Sequence, residues 1–255
     1  MVMDIQCSQA DLTSPRAKVE FAAATIAKKF RAQPIVDAGT LEVVGLEMLC
    51  RDRLNFTDRR KMVDADIEAI KAASIMAACK AYQHVHCNVE ILSVIDPEWI
   101  EGMAIHIKPG VVIEVVERNG LMMKSFFADQ VKNVVELIRA YGGLIAMDDF
   151  VFNDHNIFIM ESIHPDIIKV EKAEYIGEIR KFTDAPIVVE RIETVHMSRN
   201  AKKAGADRLQ GYYCDIEVQG QIPERLTPPG VMARRQQMVD GLSQRQPERL
   251  VASFT

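Results

Sequence analysis

The sequence predicts a single α/β domain: a TIM-like (β/α)8 barrel whose first strand is antiparallel to its neighbour. From about residue 58 onward, short apolar runs alternate with helical patterns, which is typical of a parallel sheet. The number of strand–helix units is too large for a small sheet and fits a closed barrel. An open doubly wound sheet is the alternative, but no G-x-G-x-x-G follows any of the predicted strands.

Helical and strand periodicity assigns the elements in order. The predicted helices are 15–31, 58–82, 124–141, 156–163, 172–182 and 195–204, with a short helical stretch between the third and fourth strands of the barrel. After an opening hairpin in QPIVDAGTLEVVGLEML, the predicted strands are 85–91, 111–116, 144–149, 166–170, 186–190 and 207–210. The turn at Ala38-Gly39 makes the hairpin antiparallel.

The chain divides into three segments around this barrel. Residues 1–32 are expected to form an N-terminal helix, with Ser14 as its N-cap and Pro15 in its first turn. Residues 33–227 form the barrel, and the polar, charge-mixed residues 228–255 form a C-terminal helix and tail. Residues 1–32 are too short for a fused regulatory or cyclase domain.

Composition excludes several classes of protein. A net charge of -5 over 255 residues argues against DNA binding. No secretory signal and no apolar run long enough for a membrane span are found. The five cysteines form no C-x-x-C pair, so a reducing, cytoplasmic location is expected.

Acidic and amide residues stand at or near the ends of the predicted strands. Such ends converge at one face of a (β/α)8 barrel, and hard oxygen ligands suit Mg²⁺ or Mn²⁺ better than zinc. The residues are Glu47, Asn88, Glu114, Asp148, Lys169, Glu190 and Gln210. Each has a plainer interpretation, such as helix capping by Asp148 or Asp149 or a helix start at Glu190 and Glu193. His84 and His86 are interpreted as surface or packing residues away from the acids.

These residues resemble the motifs of the EAL domain family, from about Gln33 to Tyr213. VVGLEMLCR resembles the Glu-Ala-Leu-x-Arg signature, and NVE resembles Asn-x-Ser, with Glu90 in place of Ser. IEVVE matches Glu-x-x-Glu, MDDF supplies the paired Asp, and IIKVEK resembles Lys-Ile-Asp with Glu171 in place of Asp. VERIET resembles Ala-Glu-Gly-Val-Glu-Thr, and LQGYY resembles Gln-Gly-Tyr.

The resemblance implies a metal-dependent phosphodiesterase that hydrolyses cyclic di-GMP to linear pGpG in bacterial second-messenger signalling. Two Mg²⁺ or Mn²⁺ ions would activate water and neutralise phosphate oxygens. By carry-over, Lys169, Glu190 and Glu47 are catalytic, and Arg51, Gln210 and Glu193 bind substrate. The implied metal ligands are Glu47, Asn88, Glu114, Asp148, Asp149 and Glu190, and Glu117 anchors the loop after the paired Asp.

That loop departs from the family pattern. The family has Asp-Phe-Gly-x-Gly-Tyr-Ser-Ser, whereas this chain continues from Asp149 as FVFNDHN, without either glycine. A β-branched Val does not readily adopt the positive φ that glycine permits. The longer Glu171 can also shift a contact near the metals. We therefore expect a complete ligand set with altered support, and activity that the loop attenuates.

Three functions follow from these observations. The first is an active phosphodiesterase. The second is a catalytically silent cyclic di-GMP receptor. The third is a protein-interaction module, with a regulatory protein as its partner, that no longer uses the nucleotide. The family resemblance also implies a homodimer.

Overall fold

Eight strands form a closed barrel in the computed structural model of the chain. The structure describes residues 14–51, 58–116, 125–218 and 220–227, without the side chains of 125 and 126. The strands are β1 Phe30–Asp37, β2 Val43–Cys50, β3 His84–Glu90, β4 Val111–Val116, β5 Leu144–Met147, β6 Ile167–Val170, β7 Ile187–Val189 and β8 Arg208–Gln210. The predicted eight-stranded barrel is confirmed.

Helices surround the barrel and connect its parallel strands. They are α1 Pro15–Ile26, α2 Arg59–Ala77, α3 Ile91–Val94, α4 Pro97–His106, α5 Ser125–Ala140, α6 Asp154–Ile163, α7 Ile176–Ile179, α8 Val195–Ala204 and α9 Tyr212–Glu217, with 3-10 turns at Ala173–Tyr175 and Glu224–Leu226. In the part of the chain that the structure describes, no helix is both long and apolar enough to cross a membrane.

Strand β1 runs antiparallel to both of its neighbours, as the sequence predicts. The reversal follows from the tight turn after β1, where one Asp37 carboxylate oxygen accepts the N–H groups of Gly39 and Thr40, each at 2.8 Å. In the resulting register Gln33 lies opposite Glu47, and Ile35 lies opposite Gln210. The reversal therefore places the N-terminal half of β1 beside the strand ends that carry the polar residues.

Three predicted helices are too long. Helix α1 ends at Ile26 rather than 31, because Phe30 already pairs with Cys50 in the barrel. Helix α2 ends at Ala77 rather than 82, since Lys80 turns the chain with a φ of +55°. The predicted helix 172–182 is a 3-10 turn followed by the four-residue α7, because the N–H groups of Lys181 and Phe182 bond to carbonyls only three residues back.

The barrel interior has an apolar floor. Its buried residues are Ile35, Val112, Ala146, Ile167 and Val188, and they pack against one another separately from the larger core between strands and helices. Side chains alternate along a strand, so the residue two positions later points to the same face. The residues two positions beyond four of these are Glu114, Asp148, Lys169 and Glu190. Strand periodicity thus places this charged layer directly above the apolar floor.

Candidate functional site

Lys169 lies at the centre of the charged layer. Its ammonium nitrogen Nζ lies 3.2 Å from Glu47 Oε2 and 2.9 Å from Glu114 Oε1. It also lies 3.0 Å from Asp148 Oδ1 and 2.9 Å from Glu190 Oε1. Only 1% of the Lys169 side chain is exposed. Four carboxylates from four strand ends therefore share one buried cation, as the convergence predicted from sequence requires.

The charges in this cluster perturb one another. Burial opposes ionisation of Lys169, but the four surrounding carboxylates hold its pKa well above the ordinary value. Burial raises the pKa of Glu190 to about 8, and burial and the negative charge of Glu47 raise that of Glu114. Burial raises the pKa of Asp148 as well, against the charge of Lys169. One ammonium does not neutralise four carboxylates, so the cluster favours either protons or further cations.

Glu47 differs from the other carboxylates because amide groups stabilise its ionised form. Burial alone would raise its pKa, but the Lys169 charge and hydrogen bonds from Gln210 and Asn88 lower it. Asn88 Nδ2 donates to Oε1 at 2.6 Å, and Gln210 Nε2 donates to Oε2. Glu47 is therefore an ionised carboxylate whose orientation is fixed by amide groups from β3 and β8.

Gln33 of the reversed strand supports this arrangement, although the sequence did not indicate it as a site residue. Its Oε1 accepts a hydrogen bond from Gln210 Nε2 at 3.2 Å, and its Nε2 donates to Asp215 Oδ2 at 3.3 Å. Burial raises the pKa of Asp215 to about 6. The resemblance of Gln-Pro-Ile-Val to the family's opening strand was the signal that could have identified Gln33.

Oxygen atoms suited to a divalent cation lie close together at one side of the cluster. One carboxylate oxygen from each of Asp148, Asp149 and Glu190 lies within 4.8 Å of the other two. Asp149 adopts a left-handed conformation with a φ of +48°, which occurs uncommonly in residues other than glycine. Carboxylate and amide oxygens are the donors that Mg²⁺ and Mn²⁺ prefer, so the residues fit the metals expected from the sequence.

A cavity of about 340 Å³ opens onto the cluster at the strand ends. Its lining residues are Gln33, Glu47, Leu49, Asp149, Glu190, Arg191, Glu193, Gln210, Gly211 and Tyr212. Glu193 and Gln210, both expected to contact substrate, thus face the same cavity as Glu47 and Glu190. Gly211 is required at its position, because a Cβ there would lie 2.3 Å from the backbone nitrogen of Ile192.

Arg51 does not join the charged cluster. Its Nε donates to the carbonyl oxygens of Ala27 at 2.9 Å and Phe30 at 3.0 Å. One of its terminal nitrogens donates to the carbonyl oxygen of Arg225 at 2.8 Å. The guanidinium group expected to contact a substrate phosphate is therefore engaged by three backbone carbonyls at the edge of the barrel.

The interpretation of His86 as a surface or packing residue away from the acids was wrong. Its side chain is fully buried, and Nδ1 lies 2.7 Å from Glu114 Oε1. Burial keeps the pKa of His86 well below the ordinary value, so the ring is neutral and shares one hydrogen bond with Glu114 through Nδ1. His84 instead lies 2.9 Å from a terminal nitrogen of Arg208. Strand pairing explains the error, because His86 lies opposite Val112, whose face of β4 also carries Glu114.

The loop after Asp149 is anchored without the glycines of the family pattern. Phe150 is buried and its N–H donates to the Lys169 carbonyl oxygen at 3.0 Å. Asn153 caps α6 by accepting the Asn156 N–H at 2.8 Å. None of residues 150–153 adopts a positive φ. Glu117, the expected anchor of this loop, lies outside the described residues, as does the tail 228–255.

Comparison with known proteins identifies a curated relative and several structures of similar fold. No protein-family model matches the chain. The chain is 24% identical over 225 residues to the probable cyclic di-GMP phosphodiesterase PdeI of Escherichia coli (strain K12). That match covers 71% of this chain and 28% of the relative, so the chain spans just over a quarter of that protein's length.

Solved structures share the fold. An EAL domain protein from Listeria monocytogenes EGD-e superposes with a TM-score of 0.58 at 19% identity, over 83% of this chain and 93% of that one. Klebsiella pneumoniae BlrP1, in complex with calcium and cyclic di-GMP, gives a TM-score of 0.58 at 22% identity, over 72% and 54% of the two chains. The chain is therefore similar in sequence to a probable cyclic di-GMP phosphodiesterase, and it shares its barrel fold with solved EAL domain structures.

Proposed function

We propose that the chain hydrolyses cyclic di-GMP to linear pGpG with the aid of two divalent ions, Mg²⁺ or Mn²⁺. The observation that carries the proposal is the convergence of Glu47, Glu114, Asp148 and Glu190 around Lys169 at the base of an open cavity. Relatives of this fold include a probable cyclic di-GMP phosphodiesterase and a complex with this dinucleotide.

Six residues would hold the ions: Glu47, Asn88, Glu114, Asp148, Asp149 and Glu190. When bound, such ions lower the pKa of a coordinated water and neutralise phosphate oxygens. The protein's own contribution is orientation. Asn88 and Gln210 hold the ionised Glu47 carboxylate in one orientation, and His86 holds the Glu114 carboxyl group.

Lys169 supplies the fixed positive charge of the proposed reaction. Its Nζ is buried, and its raised pKa keeps it protonated at neutral pH. A buried ammonium beside the scissile bond stabilises negative charge that develops on phosphate oxygens, because water does not screen it there. Gln210 and Glu193 line the cavity and would contact the nucleotide. Arg51 would contact a phosphate only after exchanging its three carbonyl partners.

A second candidate is a receptor that binds cyclic di-GMP without cleaving it. Among the described residues, Asp148, Asp149 and Glu190 form the one group of three with ligand oxygens within 4.8 Å of each other. Two-metal hydrolysis requires a second such position, for which Glu47 and Glu114 would have to exchange their contacts with Lys169. The altered loop beyond Asp149 favours this candidate further.

Chromatography of cyclic di-GMP incubated with the purified protein tests the two functions. We expect pGpG with Mg²⁺ or Mn²⁺ and none with a chelator. Glu47→Ala should lower the rate about 100-fold or more, since loss of an oriented metal ligand has effects of at least this order. Glu42→Gln is the matched control, because this exposed carboxylate lies at the opposite end of the same hairpin, just before β2.

Two results would contradict the enzyme assignment. Equal rates for Glu47→Ala and the unaltered protein would remove Glu47 from the chemistry. Intact dinucleotide with both metals, together with saturable binding by calorimetry, would establish the receptor instead. Absence of binding as well would favour the interaction module with a regulatory protein partner.

The proposal extends to the setting of the protein. We infer that the protein is a homodimer in the bacterial cytoplasm. By changing second-messenger levels it would affect biofilm formation and motility. Sedimentation velocity over a range of protein concentrations tests the dimer, and a single monomeric species at the highest concentration would refute it.

A further inference from the structure

Arg191 stands in a strained backbone conformation at the mouth of the cavity. It follows Glu190, and its φ is +51°, in the left-handed region. The motif that VERIET resembles has glycine at this position, which adopts such a φ without steric cost. A side chain in this conformation costs free energy, and such strain is often found at functional sites.

The neighbouring residues explain why the chain must bend at Arg191. The Glu190 N–H donates to the Val170 carbonyl oxygen at 2.8 Å, and the Ile192 N–H donates to the Gln210 carbonyl oxygen at 3.0 Å. Both flanking residues are therefore fixed to adjacent strands, and Arg191 alone accommodates the change of direction. The bend directs the chain past the rim of the cavity, which Arg191 lines.

The guanidinium group of Arg191 pairs with Glu171, which stands where the family pattern has Asp. One terminal nitrogen lies 2.8 Å from Glu171 Oε1, and the two side chains are 70% and 40% exposed. An exposed ion pair of this kind contributes little to stability, because water screens it. Arg191 can therefore leave Glu171 at little cost when a stronger anion is present.

The lining of the cavity is mostly negative, which disfavours an anionic phosphate unless a cation offsets it. Its described lining residues include four carboxylates, and among those lining residues Arg191 alone carries a positive charge. Arg51, the residue expected to meet a phosphate, is engaged by three backbone carbonyls. A planar guanidinium group matches two oxygens of a phosphodiester at once.

We infer that Arg191 binds a phosphate group of the dinucleotide and that Glu171 holds Arg191 at the rim until the ligand enters. This inference rests on the proposed function, because the ligand is cyclic di-GMP or its linear product. It assigns the phosphate contact to a residue that replaces glycine, with Glu171 as the partner that the phosphate displaces.

Calorimetric titration with pGpG in the presence of Mg²⁺, and in parallel with cyclic di-GMP, tests the inference. We expect Arg191→Gly to weaken binding about 10-fold or more, as for loss of a charge-assisted hydrogen bond. The same variant should unfold at a higher denaturant concentration, since glycine relieves the strain at φ +51°. Glu171→Gln should tighten binding a few-fold, because it frees the guanidinium group.

Lys181→Gln provides the matched control. Lys181 forms a similar exposed ion pair, 2.7 Å from Glu178 Oε2, and the variant changes the net charge by the same amount. Binding by Arg191→Gly equal to that by Lys181→Gln would overturn the inference, even if the variant gained stability. Failure of the unaltered protein to bind either dinucleotide would instead refute the proposed function and, with it, this assignment. Weakened binding together with increased stability supports the inference, because loss of a structural contact would not raise stability.

Discussion

Replacing Lys169 with methionine tests how the charged cluster is held together. Methionine keeps the length of the side chain but removes the ammonium group that contacts Glu47, Glu114, Asp148 and Glu190. Removing one partner from a buried ion pair typically costs about 3–5 kcal/mol, because the remaining charge is uncompensated. The four contacts share one cation, so their contributions do not add. We therefore expect the free energy of unfolding to fall by an amount within that range at pH 8.

The loss should depend on pH in a defined direction. Burial raises the pKa of Glu190 in the folded protein to about 8, against an ordinary value of 4.5. Between these two pH values the folded protein holds a proton that the unfolded chain releases, so this group's contribution to stability falls as pH rises. Removing Lys169 takes away a charge that lowers the pKa of Glu47 and Asp148 as well, so more carboxyl groups hold protons and the dependence becomes steeper. The deficit of Lys169→Met should therefore be smallest near pH 5 and largest near pH 8.

Divalent cations should reverse the deficit if the carboxylates bind metal. A ligand at about 100 times its dissociation constant stabilises the folded state by about 2.7 kcal/mol. Urea unfolding at pH 5 and pH 8, with a chelator or with excess Mn²⁺, measures both effects. Lys29→Met is the control, since Lys29 pairs with Glu68 on the surface. This variant should lower the free energy of unfolding by at most about 1 kcal/mol. Equal unfolding free energies for Lys169→Met and the unaltered protein at pH 8 with chelator would refute the reasoning.

Two further substitutions test the supports of the site. His86→Phe keeps the ring but removes the hydrogen bond to Glu114, and should lower the unfolding free energy by about 1–3 kcal/mol in chemical denaturation; no change would show that Glu114 needs no donor. Asp66 of α2 is buried and accepts the N–H of Glu90, the last residue of β3, at 3.2 Å. Burial raises its pKa to about 7 from 3.8, so its contribution to stability falls as pH rises from about 4 to 7. Asp66→Asn should remove that slope, and an unaltered slope in thermal unfolding across this range would contradict the assignment.

The barrel and most of the charged cluster were predictable because both depend on local periodicity. Strand alternation alone places Glu114, Asp148, Lys169 and Glu190 two residues beyond buried apolar residues of the barrel floor. Parallel strands then bring these positions to one edge. No geometric information beyond strand order and direction was needed.

The residues that the sequence did not predict correctly depend on the register between strands and on side-chain conformation. His86 joins the acids because β3 pairs with β4 in a register that sets His86 opposite Val112. The orientation of Arg51 depends on carbonyl groups at residues 27, 30 and 225, which are far apart in sequence. The predicted helices α1 and α2 each extend five residues beyond the observed ends. Strand pairing ends α1 and a positive φ at Lys80 ends the α2 region, and both override helical periodicity.

The reversal of β1 has a mechanical consequence. In an all-parallel barrel the first strand begins at the edge opposite the strand ends that carry the functional residues. Here Phe30, the first residue of β1, pairs with Cys50, the last residue of β2, which is also the strand of Glu47. Arg51 joins this corner to the end of α1 through Ala27 and to the final turn through Arg225. A displacement of α1 or of that turn would thus move the strand that bears Glu47. These two segments outside the barrel are therefore coupled to the charged cluster through Arg51.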